Sequence, residues 1–255
     1  MEIKVLGCSG AEFPGHYPTG FLVDERILFD AGTLNSALNA KEQLKIKHIF
    51  ITHAHLDHTR EIPFLADNLF IGGHKQKVNI FSIPPVIRDI KNNILNRKVW
   101  PDMTVLPTVR HPLIALNIIK PYRPLEIGGY RVTAYKVSHS VPAVGYLVEN
   151  REGRRFFYTG DTGPTGMTWE KIGGKKIHCL IIESSFPNRL EEMAMMTGHL
   201  TPGLLKKELL KMNFIPERIY VTHLKPQFYE TINRELQKLK LKNVILLREG
   251  DTILV

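Results

Sequence analysis

The stretch Thr52-His53-Ala54-His55-Leu56-Asp57-His58 sets three imidazoles and a carboxylate within six residues, directly behind the apolar run His48-Ile49-Phe50-Ile51. That run is short, β-branched and aromatic, and reads as a buried strand. The polar cluster therefore stands where a strand ends and the chain turns, the edge at which open α/β sheets place their ligand sites. Imidazole and carboxylate suit Zn, Mn or Fe. One metal uses two such side chains comfortably. Four of them, with neighbours sent to opposite sides, imply two adjacent metals. The competing reading, a His-rich surface tract, gives way because the chain supplies further ligands.

Those ligands recur in one context, an apolar strand followed by a polar residue where it stops. His139 follows Tyr135-Lys136-Val137-Ser138, Asp161 follows Phe156-Phe157-Tyr158-Thr159-Gly160, and His223 follows Ile219-Tyr220-Val221-Thr222. With the first cluster they make five histidines and two aspartates. That is the ligand count of a di-metal site with one bridging carboxylate and positions left for water and substrate. His16, His48, His74, His111 and His178 lack this placement as a set and read as structural or surface histidines.

Strand meanders open each half of the chain, and strands alternating with helices follow. The pattern predicts strands at 3–6, 19–24, 27–30, 48–52, 78–83, 113–120, 130–137, 143–149, 154–159, 177–182 and 218–222. Helices are expected from Thr33 to about Lys41, from Thr59 to Phe70, from Pro84 to about Asn96, from Thr201 to about Met212 and from Tyr229 to Leu239. Residues 243–247 and 252–255 read as a closing hairpin around Arg248-Glu249-Gly250-Asp251. Two sheets packed together, with helices on both outer faces, satisfy this order. No linker-like composition shift appears, so residues 1–255 are expected to form a single domain.

At 43% hydrophobic and 23% charged residues, the balance is that of an ordinary globular chain. No stretch approaches the roughly 18 consecutive apolar residues of a membrane span. The first residues read as a strand rather than a signal peptide, and Cys8 and Cys179 form no CxxC, which together point to a reducing cytoplasm. The net charge of +9 favours anionic substrates. The Lys and Arg residues are scattered, with no arginine-rich arm or aromatic-interleaved basic stretch, so a nucleic-acid partner is not expected.

The complete ligand pattern resembles the metallo-β-lactamase fold superfamily, whose fold is a four-layer αββα sandwich of the α/β (α+β) class. By that resemblance His53, His55 and His139 hold one metal, Asp57, His58 and His223 hold the other, and Asp161 bridges them. Zinc is the first expectation for the two divalent ions, with Mn or Fe as alternatives. The redox branch of the superfamily carries Glu where His55 stands, so the resemblance implies hydrolysis.

Finer motifs are similar to those of class II cyclic-nucleotide phosphodiesterases. These are His-x-His-Leu-Asp-His at 53–58, the Asn-rich, Trp-Pro-containing segment 93–102, Glu183-Ser184-Ser185-Phe186-Pro187-Asn188, and Gly198-His199-Leu200-Thr201-Pro202. The segment Thr59-Arg60-Glu61 departs from the family's small, glycine-containing stretch and puts Arg60 or Glu61 at the pocket rim. The resemblance implies a hydroxide shared by two metals attacking a 3′,5′-cyclic nucleotide and releasing a 5′-monophosphate. Asp57, His199 and Glu183 are the implied catalytic residues, with His199 as acid or phosphate contact and Glu183 as its orienter. Asn96, Trp100, Asp102 and Ser9 are candidate substrate contacts, Trp100 by stacking on a base and Ser9 through backbone N–H groups of the Gly7–Gly10 turn. A homodimer follows from the superfamily habit.

Three other functions compete. A tRNA 3′-end endonuclease of the same superfamily suits the basic charge, but that family carries a tRNA-gripping arm between the ligands matching His139 and Asp161, which lie only 22 positions apart here. A thioester or other metal hydrolase leaves the Trp100 segment and the Glu183–His199 pair unexplained. A non-catalytic binding module is expected to have lost ligands, and all seven are present.

Overall fold

Alternation along the strands decides how the layers stack. In the computed structural model, which describes residues 1–255 except Lys75 and Lys242, the first half runs β1 (Glu2–Gly7), β2 (Gly20–Val23), β3 (Ile27–Phe29), α1 (Ala40–Gln43), β4 (His48–Phe50), α2 (Leu56–Thr59), α3 (Ile62–Ile71), β5 (Val78–Ser82), α4 (Pro84–Asp89) with a π-turn over Ile90–Ile94, the short hairpin β6 (Pro107–Thr108) and β7 (His111–Pro112), and β8 (Ile114–Ile118). The second half runs β9 (Pro124–Ile127), β10 (Tyr130–Lys136), β11 (Val144–Glu149), β12 (Arg155–Tyr158), α5 (Gly166–Ile172), β13 (Cys179–Glu183), α6 (Glu191–Thr197), α7 (Pro202–Leu209), β14 (Arg218–Thr222), α8 (Tyr229–Lys238), β15 (Val244–Leu246) and β16 (Thr252–Leu254).

Two seven-stranded sheets result, ordered β16-β1-β2-β3-β4-β5-β8 and β15-β14-β13-β12-β11-β10-β9. Each is antiparallel up to one strand, β3 or β12, and parallel beyond it. Along β12, Phe156 and Tyr158 face the other sheet, while Phe157 between them faces the helices. Between the sheets Phe29 meets Phe156 edge-on at 5.6 Å, and Phe50 meets Tyr146 at 5.4 Å. On the outside of the second sheet Leu180, Ile182 and Val221 pack with Trp169, Leu205 and Ile232 of the helices. The four layers are αββα, because every strand buried on both faces needs a partner on each.

Several expected elements change on folding. The closing hairpin does not form. β15 pairs with β14 in the second sheet, and β16 crosses to the first sheet and pairs antiparallel with β1. Each strand answers the nearest unpaired sheet edge, which the local turn sequence does not encode. The expected helix from Thr33 shrinks to α1, capped by Asn39, whose side chain accepts from the N–H groups of Lys41 and Glu42. The helix expected over Thr59–Phe70 forms as α3, starting at Ile62 after the separate turn of α2, and the helix from Pro84 gives way to the π-turn after Asp89. Both cysteines are free and buried. Among the described residues no helix is long and apolar enough to cross a membrane.

Phe50 is fully buried, stacked on Phe29 at 5.3 Å and on Phe81 at 4.9 Å. Phe50→Ala is expected to lower the unfolding free energy by about 3–5 kcal/mol, read as a shift of the urea midpoint at unchanged slope.

Candidate metal centre

All seven predicted ligands arrive at one edge, where strands of both sheets end. His53 and His55 leave β4, Asp57 and His58 sit on the single turn of α2, His139 follows β10, Asp161 follows β12 and His223 follows β14. Backbone bonds tie these loops together. Val144 N donates to Thr52 O at 3.0 Å across the sheets, and Ala31 N donates to His58 O at 2.8 Å. His223 holds a left-handed backbone with φ of 63°, a strained conformation of the kind found where function over-determines geometry. Gly10 lies against it, and a Cβ there would collide with the His223 carbonyl oxygen.

The donor atoms fall into two overlapping groups, each with every ligand atom within 4.8 Å of the others: His53, His55, His139 and Asp161, and Asp57, His58, Asp161 and His223. In the first, His55 Nδ1 lies 3.0 Å from His53 Nε2 and 3.3 Å from His139 Nε2. In the second, His223 Nε2 lies 3.4 Å from Asp57 Oδ2 and 3.3 Å from Asp161 Oδ1. Asp161 belongs to both, with Oδ2 3.7 Å from His53 Nε2 and 3.4 Å from His58 Nε2.

Four of the five imidazoles have the other ring nitrogen engaged. His53 Nδ1 meets Thr52 Oγ1 at 3.0 Å, His58 Nδ1 meets Asp30 Oδ2 at 2.7 Å, His139 Nδ1 meets Gly198 O at 2.9 Å and His223 Nδ1 meets Ser185 Oγ at 2.9 Å. A carboxylate or carbonyl at Nδ1 places the proton there and leaves the Nε2 lone pair for a metal.

Electrostatics agree with a cationic occupant. Burial, then the neighbouring His58, holds the His53 imidazole well below its ordinary pKa, in the neutral form that a ligand needs. Burial opposes the ionisation of Asp57 and Asp161, but the surrounding imidazoles outweigh it and both remain carboxylates. Burial also opposes a charge on His58, yet Asp161, Asp30 and Asp57 converge on the ring and raise its pKa well above the usual value. His58 Nε2 is buried without a hydrogen-bond partner. A divalent cation satisfies that nitrogen and offsets the converging carboxylates, so the donor set fits metal.

Glu183 and His199 stand beside this centre. The His199 Nδ1–H donates to Glu183 Oε1 at 2.7 Å, and its ring stacks on His223 at 5.4 Å. Glu183, fully buried, also accepts from Thr162 N, Ser185 N, Ser185 Oγ and Leu200 N. Those donors hold it as a fixed anion that orients His199. Burial lowers the His199 pKa, but the charge and hydrogen bond of Glu183 outweigh it and the value is raised.

The four candidate substrate contacts separate. Trp100 lines a cavity of about 690 Å³ that opens beside Ala54, His55 and Leu56. Asn96 instead caps its own turn, accepting from Lys98 N and Val99 N, and Asp102 is held by Lys91 at 2.6 Å and by Thr104. The Ser9 hydroxyl donates to Glu249 at 3.0 Å, and the backbone N–H groups of Ser9 and Gly10, the expected phosphate contacts, are taken by Tyr17 O and Leu224 O. Arg60 does reach the cavity rim, with its guanidinium tied to Glu12 and Gly32 O, whereas Glu61 turns inward to the N–H groups of Leu34 and Asn35.

Sequence reasoning missed Asp30 as a member of the site. Fully buried with φ of 58°, it accepts from Thr52 N, Tyr158 OH and His58 Nδ1. The available signal was an acid at a strand end on the same sheet edge as His53. Ser185 was visible only as a motif letter, without its bond to His223.

Residues 25–224 match the family described as the Beta-lactamase superfamily domain. The chain belongs to that family, and its fold is the metallo-β-lactamase fold. It is 28% identical over 241 residues to a probable 3′,5′-cyclic-nucleotide phosphodiesterase of Yersinia pestis, an overlap of 81% of this chain and 67% of that protein. It is 31% identical over 193 residues to ribonuclease Z of Pyrococcus abyssi, an overlap of 70% of this chain and 59% of that protein. The crystal structure of unliganded yeast PDE1 superposes with a TM-score of 0.84 at 18% identity, covering 100% of this chain and 99% of the other. These matches make the protein a metal-dependent hydrolase.

Asp30→Asn keeps the size of the side chain but removes the charge that faces the His58 Nδ1–H. Divalent-metal affinity is expected to fall about 10- to 100-fold, measured by competition with a chromophoric chelator; affinity equal to the parent protein would contradict the role given to Asp30.

Proposed function

We propose that this member of the β-lactamase superfamily is a di-metal phosphodiesterase that hydrolyses 3′,5′-cyclic nucleotides to 5′-monophosphates. The supporting observation is the placement of the 690 Å³ cavity, whose wall is shared by the ligand His55 and by Trp100. Phe64 and Trp100 form its aromatic side, edge to face at 5.2 Å. The size suits a small ligand, with the base against the aromatic wall and the phosphate at the metal end.

In this reading His53, His55 and His139 hold one ion, Asp57, His58 and His223 the other, and Asp161 lies between them. Bound there, divalent ions, zinc first among Zn, Mn and Fe, supply a hydroxide nucleophile at neutral pH and offset the charge of the non-bridging phosphate oxygens. A water-derived oxygen bonds to phosphorus as the P–O3′ bond breaks, and O3′ needs a proton. His199 is placed to give it, because Nδ1 is committed to Glu183 and Nε2 is the nitrogen left for substrate. Glu183 acts by orientation, since its carboxylate is saturated by donors.

The ribonuclease Z relative and the basic surface favour a second reading, a tRNA 3′-end endonuclease. Against it, the chain between His139 and Asp161 is taken up largely by β11, a five-residue connection and β12, with no inserted arm. The homodimer and the cytoplasmic setting expected from sequence belong to the same proposal; light scattering tests the first.

Turnover of cAMP and cGMP by the metal-loaded protein, followed as 5′-monophosphate release beside a precursor-tRNA assay, tests the choice. Cyclic-nucleotide hydrolysis that is lost in Asp161→Ala and in chelator supports the phosphodiesterase. Cleavage of tRNA alone overturns it. His199→Ala is expected to lower kcat by about 10²- to 10⁴-fold while leaving metal content unchanged.

A further inference from the structure

The cavity beside the metal centre is lined by more than the ligand His55 and the aromatic pair. Asp89, the last residue of α4, and Asn93, within the π-turn, both line it together with the ligand His55. They are four positions apart, so the widened turn brings them to nearly one face, while Ile90 of the same turn is fully buried in the core. Asp89 is half-buried, and among the described residues its carboxylate has no ion-pair or hydrogen-bond partner. The nearby cation on the rim, Arg60, is already committed to Glu12 and to Gly32 O. The Trp100 indole N–H is likewise buried without an acceptor. Apolar and aromatic side chains, including Phe64, Ile94 and Val99, make up most of the remaining wall.

Resting on the phosphodiesterase reading, we propose that Asp89 reads the base and that the substrate is a guanine nucleotide, with cGMP preferred over cAMP. A carboxylate and a cationic centre lining one cavity orient a nucleotide with its phosphate toward the metal ligands and its base toward Asp89. An ionised carboxylate only accepts hydrogen bonds, so the base edge facing it must donate. Guanine presents two adjacent donors, N1–H and N2–H₂, whose spacing matches the two carboxylate oxygens. Adenine presents one amino group beside the N1 acceptor, whose lone pair repels a carboxylate. Asn93 can donate to guanine O6, and the Phe64–Trp100 wall stacks the purine. This match makes Asp89 a specificity residue.

The test is kcat/KM for cGMP and cAMP on the metal-loaded parent protein and on Asp89→Asn, with bis(p-nitrophenyl) phosphate on the parent protein as a base-free phosphodiester. The parent protein is expected to prefer cGMP by about tenfold or more, the discrimination a bidentate base contact supplies, and Asp89→Asn is expected to abolish most of that ratio, chiefly through KM for cGMP. The ratio is internal to each protein, so partial loss of folded material does not move it. Equal turnover of the two nucleotides, or a ratio unchanged by Asp89→Asn, overturns the assignment while the phosphodiesterase reading stands. Hydrolysis of the base-free ester with neither cyclic nucleotide turned over overturns both.

Discussion

The buried carboxylate of Asp30 is the interaction on which the rest of the site depends. It accepts from Thr52 N at the end of β4, from the hydroxyl of Tyr158 on the opposite sheet at 2.6 Å, and from His58 Nδ1 at 2.7 Å. One side chain thus joins both sheets and fixes the tautomer of a candidate ligand. An ionised carboxylate without water is costly unless each lone pair is met, so these donors cannot drift apart without exposing a bare charge. The left-handed backbone of Asp30 is tolerable because Asp reaches that region more readily than most residues.

The same logic extends outward. Glu183 is a second buried anion, saturated by donors from the loops after β12, β13 and α6. Ser185 accepts the His223 Nδ1–H and passes its own proton toward Glu183 Oε2, so a candidate ligand and His199 share one anchor. Two buried carboxylates therefore aim His58, His199 and, through Ser185, His223. The aromatic contacts of Phe29, Phe50 and Tyr146 beneath supply the rigid floor that holds both anchors in register.

Function follows from what this rigid edge leaves open. The cavity shares His55 with the metal centre, and its wall is aromatic at Phe64 and Trp100. Asn96 and Asp102 belong to the same Trp-Pro segment, but their side chains stabilise its turn and its tie to Lys91. They shape the pocket through Trp100 without touching its contents, which is how a loop holds one aromatic side chain in place.

The seven candidate ligands, most of the strands and the αββα layering are legible in the amino-acid order. Each of these is encoded over a few neighbouring residues: a polar side chain behind an apolar run, or alternation along a strand. Which sheet takes each C-terminal strand, the backing of the histidines by Asp30 and Ser185, and the cavity shared by Asp89 and Trp100 emerge only on folding. The Asp30–Tyr158 bond spans 128 positions and the Ser185–His223 bond spans 38. Such pairings depend on which edges and loops the packed sheets bring within a few ångströms, and short-range pattern carries no record of that distance.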